Sequence, residues 1–485
     1  MEPFVAEYMG WLERENKWLF NKLIEYSTTM KGRLKVSFLF NAYQPRCNRL
    51  FKAEKPLLPD NENPFFHSFY EKIKAHKIER KVKDNLIAIA LTDCYVPLLT
   101  ISEQFPNSIT IAFPQITLDE IKNRYPIFID KLSQYYLNGE VDIGISSYHH
   151  SFAPLLDEKL LYQEYNSSIS AFLSYIKLKK KHISLHIPEC AVSPSLISTL
   201  AKVQSENFID FVTVLDSDYH NQNGFYDIGK LNKINYFTNG KMSSINVFFS
   251  NNYFSRKLFS FPPNSDPKEV GFWYFTRLFE SVAKPQPYPY WDKMKSGEEI
   301  RFTIHTDAET IGFYVQERIY SLYLMIHLMK NFDISFSYIS DFSENDTITR
   351  DKIEPLLYKT WDMETCGTTN RWIKREYDSS SQFFLTVKEI FPYLLDKLSQ
   401  KEQEMDRKEK KRLWIAKMRW ANALTSCPHW WSEPNSFAGK QFARDVIEAG
   451  KQIRKLGSYL PADYKEILNA TERISEHPFI KKALL

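Results

Sequence analysis

The chain has 485 residues, 43% of them hydrophobic and 25% charged, which is enough for a barrel-sized domain and a smaller companion. Its 63 basic and 59 acidic residues nearly cancel, so nothing in the charge calls for nucleic acid or another polyanion. Five cysteines, Cys47, Cys94, Cys190, Cys366 and Cys427, are scattered without a CxxC pair, against both a disulfide framework and a zinc site. The N-terminal Met1-Glu-Pro-Phe-Val-Ala-Glu-Tyr lacks a cationic region followed by an apolar one, and no apolar run is long enough to span a bilayer. The expectation is a cytoplasmic protein with no membrane partner.

Phe4, Tyr8, Trp11, Leu12, Leu19 and Leu23 recur near helical spacing and predict an N-terminal helical extension over residues 1–32, closed by Gly32. Leu34–Phe40 reads as a buried strand, followed by Asn41-Ala-Tyr-Gln-Pro45, and residues 54–65 with three prolines read as a loop. The run from Asn85 to Leu99, rich in Ala and Leu, predicts a buried helix. Further strands are expected at 109–113, 141–145, from His182 up to Glu189, at 211–215, at 245–249 and at 301–306, which makes seven. Helical patterns between several of them, such as 118–136 and 196–203, predict a parallel sheet or barrel over residues 33–314. Helical patterns dominate from 315 to 485, where the charged stretch 401–412 reads as a solvated helix face.

In a parallel barrel, function gathers where strands end, because the loops vary while the strands supply rigidity. The polar residues at such places are Asn41, Tyr43 and Gln44; Tyr148, His149 and His150; Glu189; Asp216 and Asp218; and Asp307 and Glu309. Two strands that each finish on an acid, Glu189 and Asp307, predict two carboxylates at one rim, the minimum equipment for cleaving a glycosidic bond. No HExxH, GxGxxG, P-loop or G-x-S-x-G pattern is present, so neither a metal nor a nucleotide cofactor is expected. Trp430 and Trp431 offer apolar faces of the kind that stack on sugar rings, whereas Tyr288–Trp291 reads as packing.

The order of these motifs resembles glycoside hydrolase family 57, whose members act on α-glucans. Tyr43-Gln44-Pro45 stands where that family shows His-Gln-Pro, and Tyr148-His-His150 followed by Pro154-Leu-Leu156 is similar to its second region. Pro188-Glu-Cys-Ala191 resembles the segment bearing the family's nucleophile, and Asp307-Ala-Glu309 with Gly312 the segment bearing its acid/base. Ser426-Cys-Pro-His-Trp-Trp431 is similar to a C-terminal region that contributes an aromatic to the substrate groove.

The resemblance spans about residues 34–435 and implies an incomplete (β/α)7 barrel followed by a helical C-terminal domain. It also implies a retaining α-amylase-like hydrolase or α-glucan transglycosylase on an α-linked oligo- or polysaccharide. Glu189 would be the nucleophile, Asp307 the acid/base, and Tyr43, Gln44, His150, Asp218, Glu309, Trp430 and Trp431 the substrate-binding set. His150 and Tyr43 are expected to face the pocket near Glu189. The chain departs from the family at Asn41 and Tyr43, where histidines would hold the first donor sugar, and at His186, where a tryptophan is usual. Those departures leave a rival: a non-catalytic glycan-binding or scaffold protein on the same fold. A carbohydrate deacetylase on a related barrel would need a metal triad that the motifs do not supply.

Overall fold

Seven strands form the wall of a barrel, and their apolar runs, which need cover on both faces, get it from lumen side chains inside and helices outside. The structure, a computed structural model, describes residues 2–43, 64–76, 86–216, 229–238, 241–251, 255, 266–284, 289–312, 317–342, 347–350, 380–425 and 437–484. Its strands are β1 (Leu34–Asn41), β2 (Ile109–Phe113), β3 (Asp142–Ile145), β4 (His182–Leu185), β5 (Asp210–Asp216), β6 (Leu231–Thr238), β7 (Lys241–Ser250), β8 (Ile300–Asp307), β9 (Ser335–Phe336) and β10 (Thr347–Arg350). Parallel pairing runs β8-β1-β2-β3-β4-β5-β7, and β7 returns to β8 to close the ring. That closure rests on one residue pair, Ser250 with Thr303, whereas β1 and β8 are in register over eight pairs, from Leu34–Ile300 to Asn41–Asp307.

These seven strands are the seven expected. The remaining three were not foreseen: β6 pairs antiparallel with β7, β10 continues that edge, and β9 joins β1. Helices over Gln115–Arg124, Pro126–Asn138, Glu158–Tyr175, Pro194–Asn207 and Pro267–Ala283 connect the barrel strands. The Ala- and Leu-rich run becomes Leu86–Ala90, a wide π turn over Leu91–Tyr95, and Val96–Gln104, buried almost throughout.

Leu39, Ala112, Val214, Phe248 and Ile339 belong to one apolar cluster, although they sit on different strands of the ring and on the segment after β9. Side chains of alternate residues therefore fill the lumen, as the two-residue period of strands requires. At the amino-terminal end of the strands, residues 337–341 stop the lumen. Asp142 accepts hydrogen bonds from Thr110, Ser184 and Ser340 hydroxyls, and Arg301 donates to Ser337 Oγ at 2.8 Å and to the Asp341 carbonyl at 2.6 Å. The strand-end residues Asn41 and Asp307 lie at the opposite, carboxyl-terminal rim.

The chain divides into two compact units that are not contiguous in sequence. The first comprises residues 1–146, 165–190 and 200–355; the second comprises 147–164, 191–199 and 356–485. The first unit holds the whole barrel and the N-terminal helices Pro3–Glu15 and Lys17–Glu25. Tyr8 of that extension packs against Phe272 and Phe275 and bonds Thr276 Oγ1 at 3.0 Å. Helix Glu317–Asn331, which helical periodicity alone assigns to the C-terminal region, falls in the barrel unit. Its apolar residues, Leu322, Met325 and Leu328 among them, are buried, so it follows its packing and not the change in composition. Trp291 lies buried against Phe279, as the packing reading of that loop expects.

The second unit is mainly helical, with Ser380–Val387, Ile390–Gln400, Arg407–Ala423, Phe437–Lys455, Lys465–Arg473 and Pro478–Leu484. A capping box formed by Asp406 and Glu409 starts the helix Arg407–Ala423, satisfying two backbone donors that the first turn leaves open. Leu413, Ala416, Trp420 and Ala423 form its buried stripe, so the charged stretch before and around it is the solvated side.

Candidate active site

Glu189 stands four residues beyond the end of β4 and Asp307 is the last residue of β8, so both acids occupy the carboxyl-terminal rim of the same parallel barrel. Accessibility singles them out. From Ile183 to Ser193 every residue is buried except Glu189, and from Phe302 to Gly312 only Asp307 and Thr310 are not. An acid that keeps a path to solvent within an otherwise buried segment is positioned to meet a ligand.

The strand after β4 turns sharply. Glu189 and Cys190 both adopt left-handed backbone angles, with φ of 58° and 48°, and the Cys190 N–H donates to the Ile187 carbonyl at 2.9 Å. Residues with a Cβ avoid this region at a cost of about 1–2 kcal/mol each, so the turn persists because surrounding contacts determine it. Strain of this kind concentrates at functional sites.

Asp307 is held by the neighbouring strand. In the β1–β8 register it lies opposite Asn41, whose side-chain Nδ2 donates to Asp307 Oδ1 at 2.9 Å while its carbonyl accepts from the Ala308 N–H at 2.8 Å. Burial pushes the Asp307 carboxyl up to about 6, and the Asn41 bond only partly opposes this. A carboxylic acid in that range can give a proton near neutral pH and take it back, as a general acid/base must.

The following turn is anchored from outside the ring. Glu309 is buried and accepts a hydrogen bond from Tyr95 at 2.5 Å, and the Cys94 thiol donates to the Ala308 carbonyl at 2.8 Å. Burial, with the charges of Glu309 and Asp93, pushes that thiol well up. Gly312 is needed here: a Cβ on it would sit 2.1 Å from the Asp93 carbonyl oxygen. Tyr43, two residues beyond β1, is 8% exposed.

A second set of residues was missed by motif reading. His186 Nδ1 lies 3.0 Å from His305 Nε2, and His305 Nδ1 lies 3.4 Å from Cys190 Sγ. Burial lowers the His305 imidazole to about 4, so it is neutral over the working range of a carboxyl pair. Alternation along β8 was the available clue, because His305 shares a face with Asp307 two residues on.

In the second unit, Glu164 gathers the segment Tyr148–Ser151. It accepts from His149 Nδ1 at 2.6 Å, the His149 N–H at 3.0 Å and Ser151 Oγ at 2.8 Å. Burial raises the Glu164 carboxyl, but His149 and these bonds outweigh it and hold the group below its ordinary value. His150 is buried in a left-handed conformation, φ 55°, and burial pushes its imidazole down to about 3. Gln44, Asp218, Trp430 and Trp431 lie outside the described residues. Among the described residues no group of three or more His, Cys, Asp or Glu is arranged to hold a metal.

The sequence profile of glycosyl hydrolase family 57 matches residues 9–355. The chain belongs to glycosyl hydrolase family 57. Solved structures agree at the level of the fold. An exo-type maltose-forming amylase from Pyrococcus sp. ST04 has 14% identity and a TM-score of 0.61, covering 92% of this chain and 83% of its own. A family 57 branching enzyme from Thermococcus kodakaraensis, solved with glucose, has 12% identity and a TM-score of 0.60 over 92% and 95%. The α-amylase AmyC from Thermotoga maritima has 14% identity and a TM-score of 0.51 over 93% and 99%. No curated protein sequence matches the chain.

Proposed function

We propose that this family 57 protein is a retaining α-glucan-active enzyme, a hydrolase or transglycosylase, with Glu189 as nucleophile and Asp307 as acid/base. The observation that carries the reading is the asymmetry of the two acids. Both keep partial exposure at one rim, but the protein around Asp307 raises its carboxyl to about 6 and a neutral amide holds it, while Glu189 sits on a strained left-handed turn. Two carboxyls whose surroundings give them different tasks are what acid/base and nucleophile assignments require.

In this reading Glu189 attacks the anomeric carbon as protonated Asp307 gives its proton to the departing glycosidic oxygen. Asp307 then removes a proton from water or a sugar hydroxyl, whose oxygen displaces Glu189 and restores the anomeric configuration. Retention needs carboxyl groups about 5–5.5 Å apart, since no water has to fit between nucleophile and sugar. Tyr43, His150, Gln44, Asp218, Trp430 and Trp431 remain the candidate sugar-binding set. Glu309, buried and bonded to Tyr95, supports the Asp307 turn and remains a candidate of the same set. We place the protein in a reducing cytoplasm, consistent with the free buried thiols of Cys94 and Cys190.

Incubation with a panel of α-glucans, followed by linkage analysis of the products, tests the reading. New α-1,6 linkages mean branching, longer oligomers mean transfer, and reducing ends alone mean hydrolysis. Tight binding without any product would instead support a glycan-binding scaffold.

A further inference from the structure

We propose that His305 is a positioning residue that fixes Glu189 relative to Asp307 by bracing the barrel across its lumen. The inference rests on the roles given to those two acids above. In the closed ring β1-β2-β3-β4-β5-β7-β8, strand β4 is separated from β8 by two strands on either path at the least, so the two strands are on opposite walls. A ring of seven strands is narrow enough for side chains from opposite walls to meet, and here they do. His186, just past β4, and His305, on β8, are 3.0 Å apart through their ring nitrogens, with ring centroids 5.0 Å apart.

Each end of this brace is close in sequence to one acid. His305 is two residues before Asp307 and His186 three before Glu189. The other nitrogen of His305 meets Cys190, the residue next to Glu189, at 3.4 Å. One imidazole therefore bonds both sides of the left-handed turn that carries the nucleophile, while its own backbone lies on the strand that ends in the acid. A neutral imidazole has one N–H and one acceptor nitrogen, so His305 donates to one of His186 and Cys190 and accepts from the other, and each partner can supply the complementary role. Burial, which keeps His305 uncharged, supports this arrangement. Glu189 and Cys190 would relax from their left-handed angles if these contacts were lost.

The test compares His305→Leu, which fits the space but makes no hydrogen bond, with His305→Gln, which can donate and accept. A fluorinated α-glycosyl fluoride that traps the glycosyl-enzyme counts active sites, so that kcat refers to folded enzyme only. His305→Leu should lower kcat per site about 100-fold with KM changed less than about twofold, since displacing a reacting group by an ångström has that scale. His305→Gln should recover at least about tenfold of that loss. An aryl glycoside with an activated leaving group, which rescues an Asp307 variant, should not rescue His305→Leu, because the nucleophile is what has moved. An unchanged kcat per site in His305→Leu, or no recovery in His305→Gln, overturns the proposal.

Imidazole 15N shifts of the full chain supply a readout independent of turnover. They should show both His305 nitrogens hydrogen-bonded, with an Nδ1 signal that changes on Cys190→Ala and is kept on Cys190→Ser. No response of the His305 Nδ1 signal to Cys190→Ala overturns the brace. If the parent protein cleaves no α-glucan, the functional reading fails, and these shifts alone decide whether the brace exists.

Discussion

Asn41 and Asp307 face each other at the last pair of the β1–β8 register, joined by a 2.9 Å hydrogen bond from amide to carboxyl. The bond stabilises the ionised acid and so restrains a carboxyl that burial drives up to about 6. Asn41→Ala should therefore raise the Asp307 pKa further. Asp307 works as an acid only while protonated, so the loss of kcat/KM with rising pH should move to higher pH. A pH–rate profile checks this, and a limb that stays in place or moves to lower pH contradicts the assignment.

Replacing either acid should stop turnover without unfolding the chain. Glu189→Ala removes the bond-forming oxygen and should leave no measurable product. Asp307→Asn should lower kcat/KM by about 10²–10⁴ on natural glucans, the usual contribution of a general acid. Its loss should be much smaller with an activated aryl leaving group. Product assays run beside thermal melts separate lost chemistry from lost fold.

Tyr43, placed by the motif resemblance in the donor subsite, is buried two residues beyond the end of β1. A phenol is larger than an imidazole and can donate or accept a hydrogen bond, so it would narrow the donor subsite. Tyr43→His should alter the preference among α-linked oligosaccharides by more than it alters Tm. A variant that melts earlier with its preference intact assigns the residue to packing.

Gly312 has no room for a side chain against the Asp93 carbonyl. Gly312→Ala should destabilise the protein by about 1–3 kcal/mol, the ordinary cost of overpacking, and shift the Asp307 turn with it. Denaturant unfolding gives the first quantity and kcat at a permissive temperature the second. Full activity at unchanged stability would mean that the turn adapts without cost.

The barrel was legible because each wall strand is an apolar run of a few residues bounded by polar or turn residues, as in Ile109–Phe113. The added strand β6 was not, since Asn232, Lys233 and Asn235 interrupt any apolar pattern and its place is set by pairing with β7. The segment Ser337-Tyr-Ile-Ser-Asp341 drew no reading of its own within the region assigned to helices, yet Ile339 and Ser340 enter the core that ring closure makes available. That Glu189 and Asp307 lie at one rim was legible, because each follows an apolar strand run. The His186–His305 pair was not, because its members are 119 positions apart and meet only across the lumen. The bond from Tyr95 to Glu309 was not legible either, because those two residues are 214 positions apart.

The left-handed turn at Glu189 sets the needs of folding against those of reaction. Judged by backbone preference alone, position 189 belongs to glycine, which reaches φ of 58° without steric conflict. Glu189→Gly should accordingly leave an inactive protein that melts at the same temperature as the parent or higher, a gain in durability from deleting the reactive group. A clear fall in Tm would instead show that the glutamate side chain stabilises the turn it occupies. On the nucleophile role proposed above, the expected outcome makes Glu189 a residue kept for what it does to a substrate, against the conformational preference of its own backbone.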